Sequence, residues 1–304
     1  MIGVGLFGKI PAQGDFVSMG MASATGRAFD RWAQMANDQV AEAGRELPAG
    51  PLGFCFRDEN GASLLIGVMV GSRDKVGRKF PLALFCELKI DRGVHVAGIP
   101  GVFAPAIAAL GTLAIAAEQS TLADLQAGLA TLPVPEAATL HERLSTELDR
   151  LNEAPLRKLL VRIYGEDGAR AHGTEVMIRA CEQSMRDGPR RPVTIDVKAT
   201  SDIELLFWIA CVESRLQGAG GPISAFWDVP AQRALLTPGI PDSNTLNFLC
   251  SKTVHSARLW GTATATEEAE ARARDRLDPK LVELLVGPDR TPASEFVSAL
   301  SPRT

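Results

Sequence analysis

Short apolar runs and longer amphipathic stretches follow one another along the first third of the chain. Four runs have the length of buried strands: residues 2–7, 52–57, 63–70 and 80–88. The turn-forming residues 58–61, between the second and third runs, predict a hairpin. Apolar residues recur at helical spacing from Phe29 to Ala43, so one long amphipathic helix is predicted between the first two strands.

The middle of the chain, about residues 101–188, predicts an inserted helical segment. Capping boxes are predicted at Thr139 with Glu142 and, after the segment, at Ser201 with Glu204. Further strands are predicted at 193–197, 223–228 and 233–236. Strands, then helices, then strand–helix–strand favour an α/β fold, with helices on both faces of a mixed central sheet.

From residue 261 onward the chain becomes highly charged. Opposite charges lie four residues apart between Glu267 and Arg276, which predicts a solvated helix. We therefore divide the chain into an α/β domain, residues 1–260, and a charged helical C-terminal tail, residues 261–304.

Composition narrows the class of protein. A hydrophobic content of 46% and a charged content of 22% are typical of a soluble globular protein, and the net charge of −4 provides no general attraction to nucleic acid or anionic membranes. The N-terminus has no basic signal-peptide region, and the longest apolar stretch is too short to cross a bilayer, so a cytoplasmic protein is expected. Five dispersed cysteines within mostly apolar runs predict buried thiols, with neither disulfides nor a zinc site.

Two stretches combine glycine with unusually dense charge. Glycine supplies the backbone freedom that a special turn requires, but a simple turn does not need so many charges. The candidate residues in the first stretch, 8–17, and the second, 71–81, are Lys9, Gly14, Asp15, Arg73, Asp74, Lys75, Gly77, Arg78 and Lys79. They either bind a partner or organise the loops. A plainer interpretation is a solvated turn in which Asp74 pairs with Arg78 or Lys75.

The first stretch also comes close to a phosphate-binding loop. Gly3, Gly8 and Lys9 have the spacing of that motif, but Ile10 stands where a hydroxyl would hold magnesium, and Pro11 follows where a helix should begin. A nucleotide-binding protein or enzyme that uses Gly8 and Lys9 therefore remains the alternative. No serine lies in a nucleophile-elbow pattern and no histidine spacing fits a metal site, so we expect no catalytic, cofactor-binding or metal-binding residues.

Together the motifs resemble the TagF family, also called ImpM. The first signature stands here as Gly8-Lys9-x-Pro11-x-x-Gly14-Asp15-Phe16-Val17, and the second as Gly71-Ser72-Arg73-Asp74-Lys75-Val76-Gly77-Arg78-Lys79-Phe80-Pro81-Leu82. Phe29-Asp30-Arg31-Trp32 matches a helix element between them, while Ser224–Trp227 and Gly239–Pro241 with Phe248 are looser matches. The second signature departs from the family pattern at Gly71, usually proline, and at Lys75, usually arginine. Ser18-Met19-Gly20 stands where the family often has arginines.

This resemblance implies a cytoplasmic, non-enzymatic accessory protein of a type VI secretion system that regulates the apparatus after translation. Some relatives repress assembly or firing and bind a forkhead-associated scaffold protein. The implied partners are therefore type VI secretion components, including such a scaffold, with no nucleic acid and no membrane insertion. The implied fold is a three-layer α/β/α sandwich, and no catalytic residue, cofactor or metal is implied.

Overall fold

One large mixed sheet organises the protein. The computed structural model describes residues 2–58, 62–90, 95–166, 168–188, 192–216, 223–251 and 256–302. In these ranges the sheet has nine strands: β1 (Ile2–Gly8), β2 (Val17–Met19), β3 (Leu52–Arg57), β4 (Ser63–Val70), β5 (Leu82–Lys89), β6 (Thr194–Lys198), β7 (Ile223–Asp228), β8 (Arg233–Pro238) and β9 (Leu259–Gly261).

The strand order is β2-β1-β5-β4-β3-β7-β8-β6-β9. Neighbouring strands are antiparallel except β6 and β9, which are parallel. The predicted β3–β4 hairpin is confirmed by the pairing of Leu52 with Met69 and of Arg57 with Leu64. Most of its predicted turn, residues 59–61, lies outside the described residues. The short edge strands β2 and β9 were not predicted.

Helices follow the strands much as the pattern predicts. The helices in the described ranges are α1 (Ala24–Glu42), α2 (Ile99–Val102), α3 (Ala104–Ala116), α4 (Leu122–Ala130), α5 (Leu140–Glu153), α6 (Leu156–Tyr164), α7 (Arg170–Asp187), α8 (Asp202–Arg215), α9 (Thr245–Leu249), α10 (Glu267–Arg276), α11 (Pro279–Val286) and α12 (Ala293–Ala299). The predicted helical middle segment corresponds to α2 through α7.

Both faces of the sheet are covered. Because side chains alternate along a strand, Phe54 and Phe56 of β3 face one side and Cys55 the other. The phenylalanines pack with Phe29 and Trp32 of α1, and α9 completes that cluster. Cys55 belongs to the large core formed with helices of the middle segment, α8 and the C-terminal helices. The α/β class is confirmed, with helices packed against each face.

The two predicted capping boxes are wrong. The Thr139 hydroxyl donates to the Glu136 carbonyl at 3.3 Å and does not cap α5. Before α8, the Ser201 hydroxyl has no partner in the described structure, while Glu204 accepts from the backbone N–H and the hydroxyl of Thr200 at 2.6 and 2.7 Å. Glu204 thus bonds the residue before the predicted cap, and the Ser201 hydroxyl accepts no N–H of the helix.

The C-terminal helices contribute to the main core. Ala273 of α10, Leu285 of α11 and Phe296 of α12 are buried there, and the Phe296 ring lies 5.9 Å from that of Phe207 in α8. The charged helix α10 is largely exposed, as predicted, but Glu270 also accepts backbone N–H bonds at the start of α7. The division of the chain at residue 260 stays a prediction.

Candidate functional site: two adjoining hairpin loops

The two charged stretches form neighbouring hairpin loops, which lie side by side at the ends of their strands. Loop 1, residues 9–16, joins β1 to β2, and loop 2, residues 71–81, joins β4 to β5. Strands β1 and β5 pair antiparallel, with Phe7 opposite Ala83. The end of β1 therefore lies beside the start of β5, which brings together loops more than fifty positions apart in the sequence.

Gly8 permits the close approach of the two loops. Its φ of +138° is one that residues with a side chain rarely adopt, and a Cβ there would lie 2.0 Å from the Pro81 carbonyl oxygen. A glycine is therefore required where β1 enters loop 1. Gly77 also has a positive φ, +90°, but open space surrounds its Cβ position, so its role is confined to the turn of loop 2.

Asp74 is the centre of the assembly. Its carboxylate is fully buried and accepts backbone N–H bonds from Val76 and Arg78 at 3.1 and 2.9 Å. The second oxygen accepts from Arg78 Nε at 2.7 Å and lies 3.0 Å from Lys9 Nζ. Asp74 thus fixes the turn of its own loop and ties it to loop 1. The predicted pairing of Asp74 with Arg78 is present, and Lys9 is an additional partner.

The protonation state of Asp74 follows from these bonds. Burial acts to raise the pKa of the carboxyl, but hydrogen bonds from the Arg78 backbone and from the Lys9 and Arg78 side chains outweigh it. They hold the pKa of Asp74 well below its usual range. The group is therefore a carboxylate at neutral pH, and it holds Lys9 and Arg78 as counter-ions.

Three further hydrogen bonds join the loops. The Lys75 backbone N–H donates to the Gln13 carbonyl at 2.8 Å, and Arg78 Nη2 donates to the Gly14 carbonyl at 2.8 Å. The Ser72 hydroxyl donates to the Lys9 carbonyl, also at 2.8 Å. Arg78 consequently bonds both loops, although 60% of its side chain is exposed.

Aromatic packing supports the same junction. Phe16 stacks on Phe7 with ring centroids 5.8 Å apart and meets the edge of Phe80 at 4.8 Å. Lys9 Nζ lies 5.0 Å from the centre of the Phe16 ring. Phe16 nevertheless remains 44% exposed, so it contributes both to the junction and to the outer surface.

The other charged side chains of loop 2 lie on the surface. Arg73 forms an ion pair with Glu118 and Lys79 with Glu46, and all four side chains are more than half exposed. Lys75 is exposed at the tip beside Val76, which is 71% exposed.

The remaining predicted residues lie in loop 1. The Asp15 carboxylate accepts the N–H of Phe16 at 2.8 Å, so this side chain bonds the backbone of its own loop. Gly14 is exposed, with no atom within 4 Å of its Cβ position, and its carbonyl receives Arg78. The structure thus brings all nine predicted residues to one place, and their binding of a partner stays a prediction.

Sequence reasoning gave no role to several residues of this site. Phe16, Phe80 and Ser72 fall inside the two signatures, yet only the fold shows that they join the loops. Glu46 and Glu118 come from other elements, and no local spacing links them to loop 2.

The cysteines have the predicted placement. Cys55, Cys86, Cys181 and Cys211 are buried and Cys250 is half-buried. Burial raises the pKa of the Cys86 and Cys181 thiols to about 12. These thiols are therefore protonated at neutral pH. The residues described by the structure contain no cluster of histidine, cysteine and acidic side chains suited to a metal ion, and no helix among them is long and apolar enough to cross a membrane.

Fold and site together define a class of protein. It is an α/β protein in which two hydrogen-bonded, charged hairpin loops lie at the ends of neighbouring sheet strands. Residues 5–132 match the model of the TagF N-terminal domain, described as type VI secretion system-associated. The matched residues contain both loops, and the match supports the resemblance to the TagF family and indicates a type VI secretion-associated protein. The looser C-terminal resemblance lies outside the matched residues and stays a prediction.

The other comparisons are more distant. The crystal structure of PA0076 from Pseudomonas aeruginosa PAO1 is similar to this chain with a TM-score of 0.47 and 16% sequence identity, over 84% of this chain and 98% of that one. None of the curated protein sequences matches the chain.

Proposed function

We propose that this protein is a non-enzymatic, cytoplasmic accessory protein of a type VI secretion system that represses the apparatus after translation through protein–protein contacts. The observation that carries the proposal is the match of residues 5–132 to a type VI secretion-associated domain. Repression, and a forkhead-associated scaffold as one partner, follow from the family resemblance. Type VI secretion components are the partners that the domain suggests.

The loop junction indicates how the contact surface is built. Lys9, Asp74 and Arg78 bond one another and hold the loops in a fixed arrangement. Lys75 and Val76 extend beyond this frame with exposed side chains, and their backbone N–H groups are hydrogen-bonded. A tip held in this way loses little conformational entropy when a partner binds. We therefore assign partner contact to the tip and loop organisation to Lys9, Asp74 and Arg78.

The alternative function is weakened by the position of Lys9. In a phosphate-binding loop the lysine reaches the phosphates of the nucleotide. Here the Lys9 side chain is only 8% exposed and its ammonium group lies 3.0 Å from Asp74. Loop 1 also leads into strand β2, so no helix N-terminus faces a bound phosphate at this place.

Secretion of the tube protein tests the proposal in the organism that encodes the chain. A deletion strain is complemented with wild type, with the tip variant Lys75→Glu/Val76→Asp, or with the matched control Lys158→Glu/Val229→Asp. The control changes an exposed lysine and a valine that is 62% exposed, both outside the loops. All three proteins are expected to have similar melting temperatures, because exposed substitutions usually change stability by less than about 0.5 kcal/mol.

If the protein is a repressor, deletion should raise secretion. Wild type and the control should lower secretion again, and the tip variant should leave it raised. Unchanged secretion on deletion would overturn the proposed function. Reduced secretion would make the chain an assembly factor and overturn repression. Full complementation by the tip variant would show that the partner binds elsewhere.

A further inference from the structure

A groove lies behind loop 2. It is bounded by the end of α1, by residues 44–49 and by the base of loop 2, and its volume is about 630 Å³. This volume is within the range of sites that enclose a small molecule or the anchoring side chains of a peptide. The groove is open to solvent, and its lining includes neither Lys9 and Asp74 of the junction nor Lys75 and Val76 of the tip.

The base of the groove and part of its wall are apolar. Val40 and Phe80 lie at the base, each only 5% exposed, and Leu47 and Pro48 form a half-buried wall. Ala41 stands on the rim, exposed on α1. A large apolar side chain entering the groove would therefore find apolar contacts at its base.

Four of the charged residues that line the groove form two ion pairs, and a fifth, Arg45, donates to the Asn247 side chain. Arg73 pairs with Glu118 and Lys79 with Glu46, and the exposed fraction of each side chain lies between 54% and 72%. Ion pairs this exposed contribute little to stability, since water competes for both partners. Carboxylates on an incoming chain could therefore replace Glu46 and Glu118 at little cost.

The local charge indicates which charge a molecule bound in the groove should carry. The whole chain has a net charge of −4, yet loop 2 exposes four cations: Arg73, Lys75, Arg78 and Lys79. The acidic residue of the loop, Asp74, is buried and already bonded to Lys9 and Arg78. This surface attracts acidic segments and disfavours basic ones.

From this combination we infer that the groove binds a short segment of a protein partner, in which a large apolar side chain is flanked by aspartate or glutamate. The apolar side chain enters above Val40 and Phe80. The flanking carboxylates take Arg73 and Lys79 from their internal partners. The inference rests on the proposed function, because it specifies how a partner that meets loop 2 is recognised.

The probe is a phage-displayed library of random peptides of about a dozen residues, selected on the purified full chain. Enriched peptides are expected to carry a large apolar residue with acidic neighbours. They are then synthesised with a fluorophore, and their affinity is measured by fluorescence anisotropy. Enrichment of basic peptides, or no enrichment, would overturn the inference.

A substitution that fills the groove tests whether the peptide binds there. Ala41→Trp occupies the rim of the groove and is expected to weaken peptide binding by at least about tenfold. The matched control is Ala108→Trp, at an exposed alanine of α3 that does not line the groove, and it should leave affinity within about twofold. If Ala41→Trp retains full affinity, the peptide binds elsewhere and the inference fails.

A gain-of-affinity variant tests the charge exchange. Glu46→Gln/Glu118→Gln removes the internal competitors of Arg73 and Lys79 and is expected to tighten acidic peptides roughly two- to tenfold. Unchanged or weaker binding would contradict the exchange. A wild-type chain that sediments as a dimer, with Ala41→Trp monomeric, would make a second copy the occupant and overturn the inference.

These results separate the inference from the proposed function. If Ala41→Trp abolishes peptide binding but restores normal secretion control in the deletion strain, the groove is not the regulatory contact and only the inference fails. If deletion has no effect on secretion, the proposed function fails whatever the peptides show.

Discussion

Replacing Lys9 with methionine should loosen the junction of the two loops. Methionine keeps most of the apolar stem that packs beside Phe16, but it removes the ammonium group 3.0 Å from the buried Asp74 carboxylate. Asp74 keeps its bonds from Arg78 and from two backbone N–H groups. The cost is therefore that of one buried, charge-assisted hydrogen bond, and not that of a wholly unpaired charge.

The magnitude follows from that count. A hydrogen bond to a charged group contributes about 1.5–3 kcal/mol, and the lost contact of the ammonium with the Phe16 ring adds roughly 0.5–1 kcal/mol. We expect Lys9→Met to lower the free energy of unfolding by about 2–4 kcal/mol in total. For a chain of this size the melting temperature should fall by roughly 3–6 °C.

The assay is urea unfolding followed by circular dichroism at pH 7, with thermal unfolding in parallel. Lys158→Met, at an exposed lysine of α6, is the control and should stay within about 0.5 kcal/mol of wild type. In the double variant Lys9→Met/Asp74→Asn the losses should add to less than the sum of the single variants, because both remove the same contact.

Two results would refute this reasoning. Unchanged stability in Lys9→Met would mean that the ion pair does not tie the loops together. A rise in melting temperature of wild type with millimolar ATP or GTP and magnesium, absent in Lys9→Met, would mean that Lys9 binds nucleotide and would support the alternative function.

Three further predictions concern other parts of the structure. Gly8→Ala should destabilise the protein by about 2–5 kcal/mol, because the new Cβ would clash with Pro81 and the φ is already unfavourable for alanine. Gly77→Ala, where the Cβ would enter open space, should cost only about 1–2 kcal/mol, and chemical denaturation of both variants measures the difference. Phe296→Ala should cost about 3–5 kcal/mol by calorimetry if α12 is part of the core, and a cost below 1 kcal/mol would contradict that packing. The hydrogen bond to Glu213 raises the pKa of His95 in the folded protein. The stabilisation by protonated His95 is therefore complete below about pH 6.5, and it is lost as the pH rises through the higher pKa of the folded state. His95→Gln should remove this dependence, worth about 0.2–1 kcal/mol at so exposed a pair, and an unchanged pH profile would contradict the assignment.

Periodicity predicts the elements of this fold because it reports burial. The strand runs 52–57 and 63–70 are apolar apart from Arg57 and Ser63 at their ends, and both are buried on both faces of the sheet as β3 and β4. Both predicted capping boxes are wrong, because the spacing of two residues does not show which neighbouring groups they bond instead. Thr200, directly before Ser201, binds Glu204 in this way.

The sequence predicted which residues form the candidate site, but not which of them are buried in the loop junction and which are exposed. Charge density marked loop 2, yet sequence does not show that Asp74 is buried while Lys75 and Arg73 are exposed. That difference arises from the antiparallel pairing of β1 with β5, which places Lys9 over Asp74. Strand pairing over this separation leaves no local pattern in the sequence.

This division of roles also changes the experiment that best tests the loop 2 surface. Judged by charge alone, reversing Arg78 and Lys79 to glutamate should abolish partner binding and leave the melting temperature unchanged. Arg78, however, bonds Asp74 and the Gly14 carbonyl, so its reversal places a second carboxylate beside a buried one and lowers stability. Loss of function in that variant would not distinguish a broken frame from a lost contact. Lys75 and Val76 lie on the same loop and their side chains leave the frame intact, so substitutions there separate partner binding from folding.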